Sequence, residues 1–241
     1  MLFDTLFDRM DTWRHFPNYQ LERRADLFFS LYLPQMLQHK FNKPFLENLI
    51  PEFPVRIGTI DPKQHSSDKS VKIDYVAVST DGKMAALVEL KTDPKSLREK
   101  QYEDLLAAKD KGFTALLEGL VTIFQATSAK RKYFQLLAHL QSLGLIHIPA
   151  ELSRIMARDS VQGANAAASA ITITSRVEDC QIVYVLPKIT DAERLKYSQA
   201  EFIIFEEFRV VVTERHDPLS QRFAQSLVEW ARVEAGRGSS K

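Results

Sequence analysis

The stretch VKIDYVAVSTDGKMAALVELK (Val71–Lys91) decides the fold. Two apolar, strand-like runs, 71–79 and 83–91, flank Thr80-Asp81-Gly82. Asp-Gly between such runs is the strongest short-range hairpin signal, because a type I′ turn needs positive φ at both central residues. With Asp81-Gly82 as a two-residue turn, Thr80 pairs with Lys83 and all paired positions add to 163. That register sets Asp74 opposite Glu89 and Lys72 opposite Lys91. Directly opposed residues share a face with Cβ atoms about 4.5–5.5 Å apart. Val76, Val78, Ala85 and Leu87 lie on the face of Asp74; Ile73, Tyr75, Ala77, Met84, Ala86, Val88 and Leu90 make the other. Both faces are apolar, so the pair is expected in the covered centre of a sheet.

Outward from the hairpin the chain reads as alternating helix and strand. Leu2, Phe3, Leu6, Phe7, Met10 and Trp13 recur at helical spacing, and Leu21, Ala25, Phe28 and Tyr32 form a second stripe. Pro34 is expected to end or kink that second helix, and Pro51 and Pro54 to break the chain before a strand over VRIGTI (55–60). A polar, turn-rich loop occupies 61–70. After the hairpin, Ser96 with Glu99 three residues on predicts a capped helix to about Lys109, and two further helices cover roughly 113–126 and 129–142. The small, polar segment 157–170 reads as a flexible insertion. Strands are expected at QIVYVLP (181–187), FIIF (202–205) and FRVVVT (208–213), and a closing amphipathic helix from Asp217 to about Val233. This order predicts a single α/β domain over 1–236, with an N-terminal helical segment, a mixed sheet, and a disordered tail at 237–241.

Two carboxylates facing each other on a covered sheet repel, and burial raises the cost. A shared proton or a shared cation compensates. A lysine nearby favours keeping both carboxylates ionised, which suits a divalent metal, and oxygen-only ligands suit Mg²⁺ or Mn²⁺ rather than zinc. Asp74 and Glu89 are therefore candidate metal ligands, with Lys91 working beside them. Other acid-x-Lys triplets (Asp61/Lys63, Asp81/Lys83, Asp93/Lys95) fall in predicted loops or turns, where solvated charge needs no explanation. A structural salt bridge at the sheet end is the bland alternative for Glu89 and Lys91.

At Ile73-Asp74 and Glu89-Leu90-Lys91, on adjacent strands followed by a helix, the sequence resembles the PD-(D/E)XK nuclease superfamily. Ile73 stands where the family's name has Pro, and the order helix, three strands, helix, strand matches residues 19–187. The resemblance implies a restriction-endonuclease-like mixed β-sheet flanked by helices, binding Mg²⁺ or Mn²⁺ and hydrolysing phosphodiester bonds. It implies Asp74 and Glu89 as metal ligands, the Leu90 carbonyl as a further ligand, and Lys91 as the catalytic lysine. A Glu on the preceding helix, aimed at the metal, corresponds to Glu22, with Asp26 one turn on as competitor. Gln101, on the stripe Leu97, Gln101, Leu105 and Ala108 of the following helix, corresponds to a family Gln beside the site; a satisfied core Gln is the plain alternative. Lys95, Arg98 and Tyr102 are candidate phosphate contacts.

Composition bounds the rest. With 45% hydrophobic and 26% charged residues in 241, the chain is expected to bury a full core. A formal net charge of +1 argues against a strongly basic coat protein while permitting a local basic groove, to which Arg23-Arg24, Lys109 and Lys111, and Lys130-Arg131-Lys132 are candidates. Neither GxxxxGK[ST] nor GxGxxG occurs among the 8 glycines, so a nucleotide-driven or Rossmann enzyme is unsupported. One cysteine, Cys180, excludes an intramolecular disulfide framework, and the six histidines lack metal spacing. No apolar run nears the roughly 20 residues of a membrane span, and MLFDTLFDRMDTW lacks the marks of a secretory signal, so a cytoplasmic protein is expected. The expected partner is DNA, with RNA the second candidate and homodimerisation open. The reading of a different class is a catalytically silent nuclease-fold protein acting as a nucleic-acid-binding or assembly module.

Overall fold

A computed structural model describes residues 2–93 and 96–232; Lys95, Val233 and the tail lie outside them. In chain order the elements are α1 (Leu2–Trp13), α2 (Glu22–Ser30), α3 (Leu33–Phe41), β1 (Ile50–Arg56), α4 (Ile57–Ile60), β2 (Ser70–Val78), β3 (Met84–Leu90), α5 (Glu99–Lys111), α6 (Phe113–Ala126), α7 (Lys130–Ser142), β4 (Ile146–His147), α8 (Ala150–Met156), α9 (Ala164–Ala168), β5 (Thr172–Ile173), β6 (Asp179–Leu186), α10 (Asp191–Lys196), β7 (Ala200–Ile204), α11 (Phe205–Thr213) and α12 (Pro218–Ala231). The longer strands form a five-stranded mixed sheet in the order β1-β2-β3-β6-β7, flanked by helices, and β4 and β5 form a small separate sheet. The chain divides into two compact units, one of 1–45, 89–98 and 183–241, the other of 46–88 and 99–182.

In the second unit the hairpin register is the expected one. Tyr75 pairs with Val88, Val76 with Leu87, Ala77 with Ala86 and Val78 with Ala85, each adding to 163. Both faces are covered, since residues 75–78 and 85–88 are all buried. The turn differs from the expected type I′. Gly82 N donates to Ser79 O at 2.8 Å, Ser79 N to Met84 O at 2.9 Å, and Gly82 alone in the turn has positive φ, +71°. Asp81 stays at negative φ because its carboxylate holds the loop from within, accepting from Ser79 Oγ (2.6 Å) and Lys83 N (3.0 Å). Widening the loop by one residue on each side leaves the register unchanged.

The strand expected over 55–60 lies earlier, at 50–56, and takes in both prolines, with Pro51 opposite Tyr75 and Pro54 opposite Lys72. β1 is an edge strand, where a missing amide donor is tolerated. Residues 57–60 turn into α4 instead. That short helix meets α6 so closely that a Cβ on Gly119 would lie 2.5 Å from Thr59 Oγ1. α6 buries Phe113, Leu116, Leu117, Leu120, Ile123 and Phe124, and Phe113 packs on Phe53 of β1 with ring centroids 6.0 Å apart. α5 begins at Glu99 rather than Ser96, whose hydroxyl donates back to Asp93 O at 2.6 Å, so the expected capping box does not form. The segment 157–170 is folded where a flexible insertion was expected, because Ala164, Ala167 and Ala168 of α9 are small enough to pack and are buried.

The first unit is built around aromatic rings. Phe29 lies within 5.2 Å of Phe205 and Phe223 and within 5.0 Å of Phe208, centroid to centroid, and Phe7, Tyr32 and Trp230 extend the cluster. Pro34 falls in the first turn of α3, where its missing N–H has no partner to lose, so the expected break after α2 becomes a helix start. FRVVVT is helical, not a strand. Phe205, Phe208, Val211 and Val212 are the buried residues of α11 and recur at helical spacing, and Glu207 Oε2 caps its start by accepting from Ile204 N at 2.9 Å. α12 begins on its Asp217 cap, as expected.

Candidate functional site

β3 delivers Glu89 at 0% exposure, and Leu90 and Lys91 follow at 2% and 6%. Lys91 Nζ donates to Glu89 Oε2 at 3.1 Å. Residues 89 and 91 stand on one face of an extended chain, which is how an acid and a lysine two apart come to touch. Lys91 is held in line by its amide, which donates to Val185 O of β6 at 2.8 Å. A buried carboxylate and ammonium compensate each other's lost hydration only when paired and hydrogen-bonded, and these are.

The other sequence-predicted residues fall as follows. Asp74 is half-buried on β2, one residue before the Tyr75–Val88 pair. Glu22 opens α2, half-buried, where an acid also suits the positive end of the helix dipole; Asp26, its competitor, accepts from the amide of Leu27 at 2.7 Å. Gln101 is half-buried on α5, off the line expected for it. The buried line of α5 runs through Tyr102, Leu105 and Ala108, so it keeps Leu105 and Ala108 of the expected stripe, and Leu97 precedes the helix. Of the predicted site residues, the structure brings Glu89 and Lys91 into direct contact.

Part of the expected basic groove has other employment. Lys130 Nζ donates to the carbonyls of Phe124 and Gln125 at the end of α6, and burial lowers its pKa. Arg131 donates to the carbonyls of Arg158 (2.6 Å) and Asp159 (2.8 Å). Arg23 and Arg24 remain exposed. Cys180 is buried, and burial, with the Asp179 charge second, pushes its thiol up to about 11, so it is no nucleophile. His139 touches the carbonyl of Leu49 at 2.8 Å, an ordinary structural use.

Glu52 escaped the sequence reading. Pro51 pairs with Tyr75 and Phe53 with Ile73, so the register places Glu52 across from Asp74. Its φ is +50°, and its carboxylate meets Lys72 Nζ. Its position in Pro51-Glu52-Phe53-Pro54, between two residues of fixed φ, is the available signal.

Among the described residues, no three His, Cys, Asp or Glu side chains form a group able to hold a metal ion by themselves. Carboxylates such as Asp74 and Glu89 are the ligand type of Mg²⁺ or Mn²⁺, which are held by one or two carboxylates and complete their shell with water and substrate phosphate. Among the described residues no helix is long and apolar enough to cross a membrane. In comparisons with known proteins the chain matches no family model, no curated protein and no solved structure.

Proposed function

We propose that the protein is a metal-dependent nuclease of the restriction-endonuclease-like fold, hydrolysing phosphodiester bonds in DNA. The observation that carries the reading is the buried Glu89–Lys91 pair, 3.1 Å apart, at the end of a strand covered on both faces. Supporting it, the hairpin keeps the register expected from the sequence, from Tyr75–Val88 to Val78–Ala85. A charged group at the end of an apolar strand is costly to build, and such placements concentrate at functional sites.

In this reading Asp74, Glu89 and the Leu90 carbonyl hold Mg²⁺ or Mn²⁺, with Glu22 a further ligand. Such an ion supplies a bound water of lowered pKa and polarises a phosphate oxygen. The Lys91 ammonium orients the attacking water and offsets charge that grows on the phosphate oxygens. Glu89 aims Lys91 through their hydrogen bond. Gln101 helps position the substrate from α5.

The test is cleavage of supercoiled plasmid, linear duplex, single-stranded DNA and RNA in Mg²⁺ or Mn²⁺, with Asp74→Asn, Glu89→Gln and Lys91→Ala as controls. Metal-dependent cleavage lost in all three variants is the expected result. No cleavage of any substrate, or cleavage that survives the substitutions, overturns the reading. Binding of nucleic acid without cleavage would make the chain a silent module.

A further inference from the structure

Glu52 is the residue whose backbone needs an explanation. Among the described residues the other non-glycine positions at positive φ are Asn18 and Asn42, a residue type that tolerates the left-handed region. Glu has no such tolerance. Pro51 fixes its own φ, and Phe53 is pushed extended by Pro54, so the deviation of β1 falls on position 52. Left-handed non-glycine residues persist where their surroundings over-determine them, and they cluster at functional sites.

The side chain says what the conformation achieves. Glu52 Oε2 accepts from Lys72 Nζ, and both side chains are more than 60% exposed, so the pair adds little to stability. Lys72 and Asp74 are two apart on β2 and share a face. About 6–7 Å of strand separates their backbones, within the reach of a lysine side chain. A lysine so placed is a built-in rival to any cation that Asp74 binds.

We propose that Glu52 is a positioning residue: it holds the Lys72 ammonium and so weakens its competition with a divalent cation at Asp74. The inference rests on the metal reading of Asp74 given above. The left-handed turn at position 52 brings the Glu52 carboxylate to Lys72, across the β1–β2 ladder from Asp74.

The experiment is a Mn²⁺ titration followed by the spectroscopic signal of the free ion. The proteins are wild type, Asp74→Asn, Glu52→Gln, Lys72→Gln and the Glu52→Gln/Lys72→Gln double variant, each checked for folding by circular dichroism. Wild type binds saturably and Asp74→Asn abolishes it. Glu52→Gln weakens binding about three- to tenfold, the scale of one near-surface charge. In the Lys72→Gln background the same change shifts affinity by less than about twofold, since no ammonium remains to restrain. An unchanged affinity in Glu52→Gln, or an equal loss with Lys72 already gone, overturns the inference alone. Absence of Asp74-dependent binding in wild type overturns the metal reading and this inference with it.

Discussion

Lys91 Nζ stands 3.1 Å from Glu89 Oε2, with side-chain exposures of 7% and 1%, so the two charges neutralise each other away from water. Such a pair contributes little net stability compared with an apolar pair of the same shape, yet losing one partner is severe.

Lys91→Met is therefore expected to destabilise the protein by about 3–5 kcal/mol, since it takes the ammonium from beside a buried carboxylate. Glu89→Gln with Lys91→Met recovers most of that loss. Urea denaturation of wild type, the single variant and the double variant measures the coupling. Equal losses in single and double variants would show that the two charges do not act as a unit.

Gly82 carries the hairpin turn at φ +71°, and a Cβ there would meet nothing within 4 Å. Gly82→Ala thus meets a backbone penalty alone, about 1–2 kcal/mol, while Gly82→Asn recovers part of it because Asn tolerates this region. Thermal melts of the two variants give the comparison. An alanine variant as stable as wild type would mean that the turn has relaxed to another type.

The hairpin was legible because three independent signals agree on it: two apolar runs, an Asp-Gly turn and a period of two. Its turn type was not, because the Asp81 carboxylate bonds to Ser79 and Lys83, a local choice that dipeptide preference does not report. FRVVVT misleads through Val210, Val211 and Val212, whose branched side chains favour strands. Tertiary context overrides that preference, since Phe205, Phe208, Val211 and Val212 bury as one helical stripe. Of the candidate site, Glu89 and Lys91 were legible from an acid and a lysine two apart at the end of an apolar strand. Of the stripe expected on the following helix, Leu105 and Ala108 are buried, while Tyr102 rather than its neighbour Gln101 completes the line. Glu52 was missed because no residue preference announces a glutamate at positive φ, and its place between Pro51 and Pro54 is the one hint.

Glu52→Gly relieves the left-handed backbone of β1 and is expected to raise stability by about 1 kcal/mol, net of the added freedom of the unfolded glycine. Chemical denaturation checks it. A loss of stability would mean that the contact with Lys72 outweighs the backbone cost.

Cys180 makes stability fall at high pH. Burial lifts its thiol from an ordinary 9.0 to about 11, so between those values the unfolded chain has released a proton that the native chain keeps. The native state then binds more protons, and stability declines as pH rises through that window. The loss approaches about 2–3 kcal/mol above pH 11. Subtracting the profile of Cys180→Ala isolates it from the lysines and tyrosines that titrate nearby. A difference profile that is flat from pH 8 to 11 would refute the assignment.

Asp11 ties α1 to α12 in the aromatic unit. Its carboxylate accepts from Trp230 Nε1 at 2.7 Å, Arg222 Nη2 at 2.7 Å and Ser226 Oγ at 3.1 Å. Burial of the Arg222 guanidinium works against its charge, but Asp11 and Asp8 outweigh that and raise its pKa. Asp11→Ala takes the acceptor from the indole of Trp230, which is 2% exposed, and from a largely buried guanidinium. The expected cost is about 2–3 kcal/mol, because buried donors left unmatched lose their full desolvation energy. Asp11→Asn keeps one oxygen for the indole and sets an amide against Arg222, so it costs less. Tryptophan fluorescence during denaturation reads both the stability and the indole environment. An Asp11→Ala protein with wild-type stability would mean that water replaces the carboxylate, and that α1 is held by its apolar face alone.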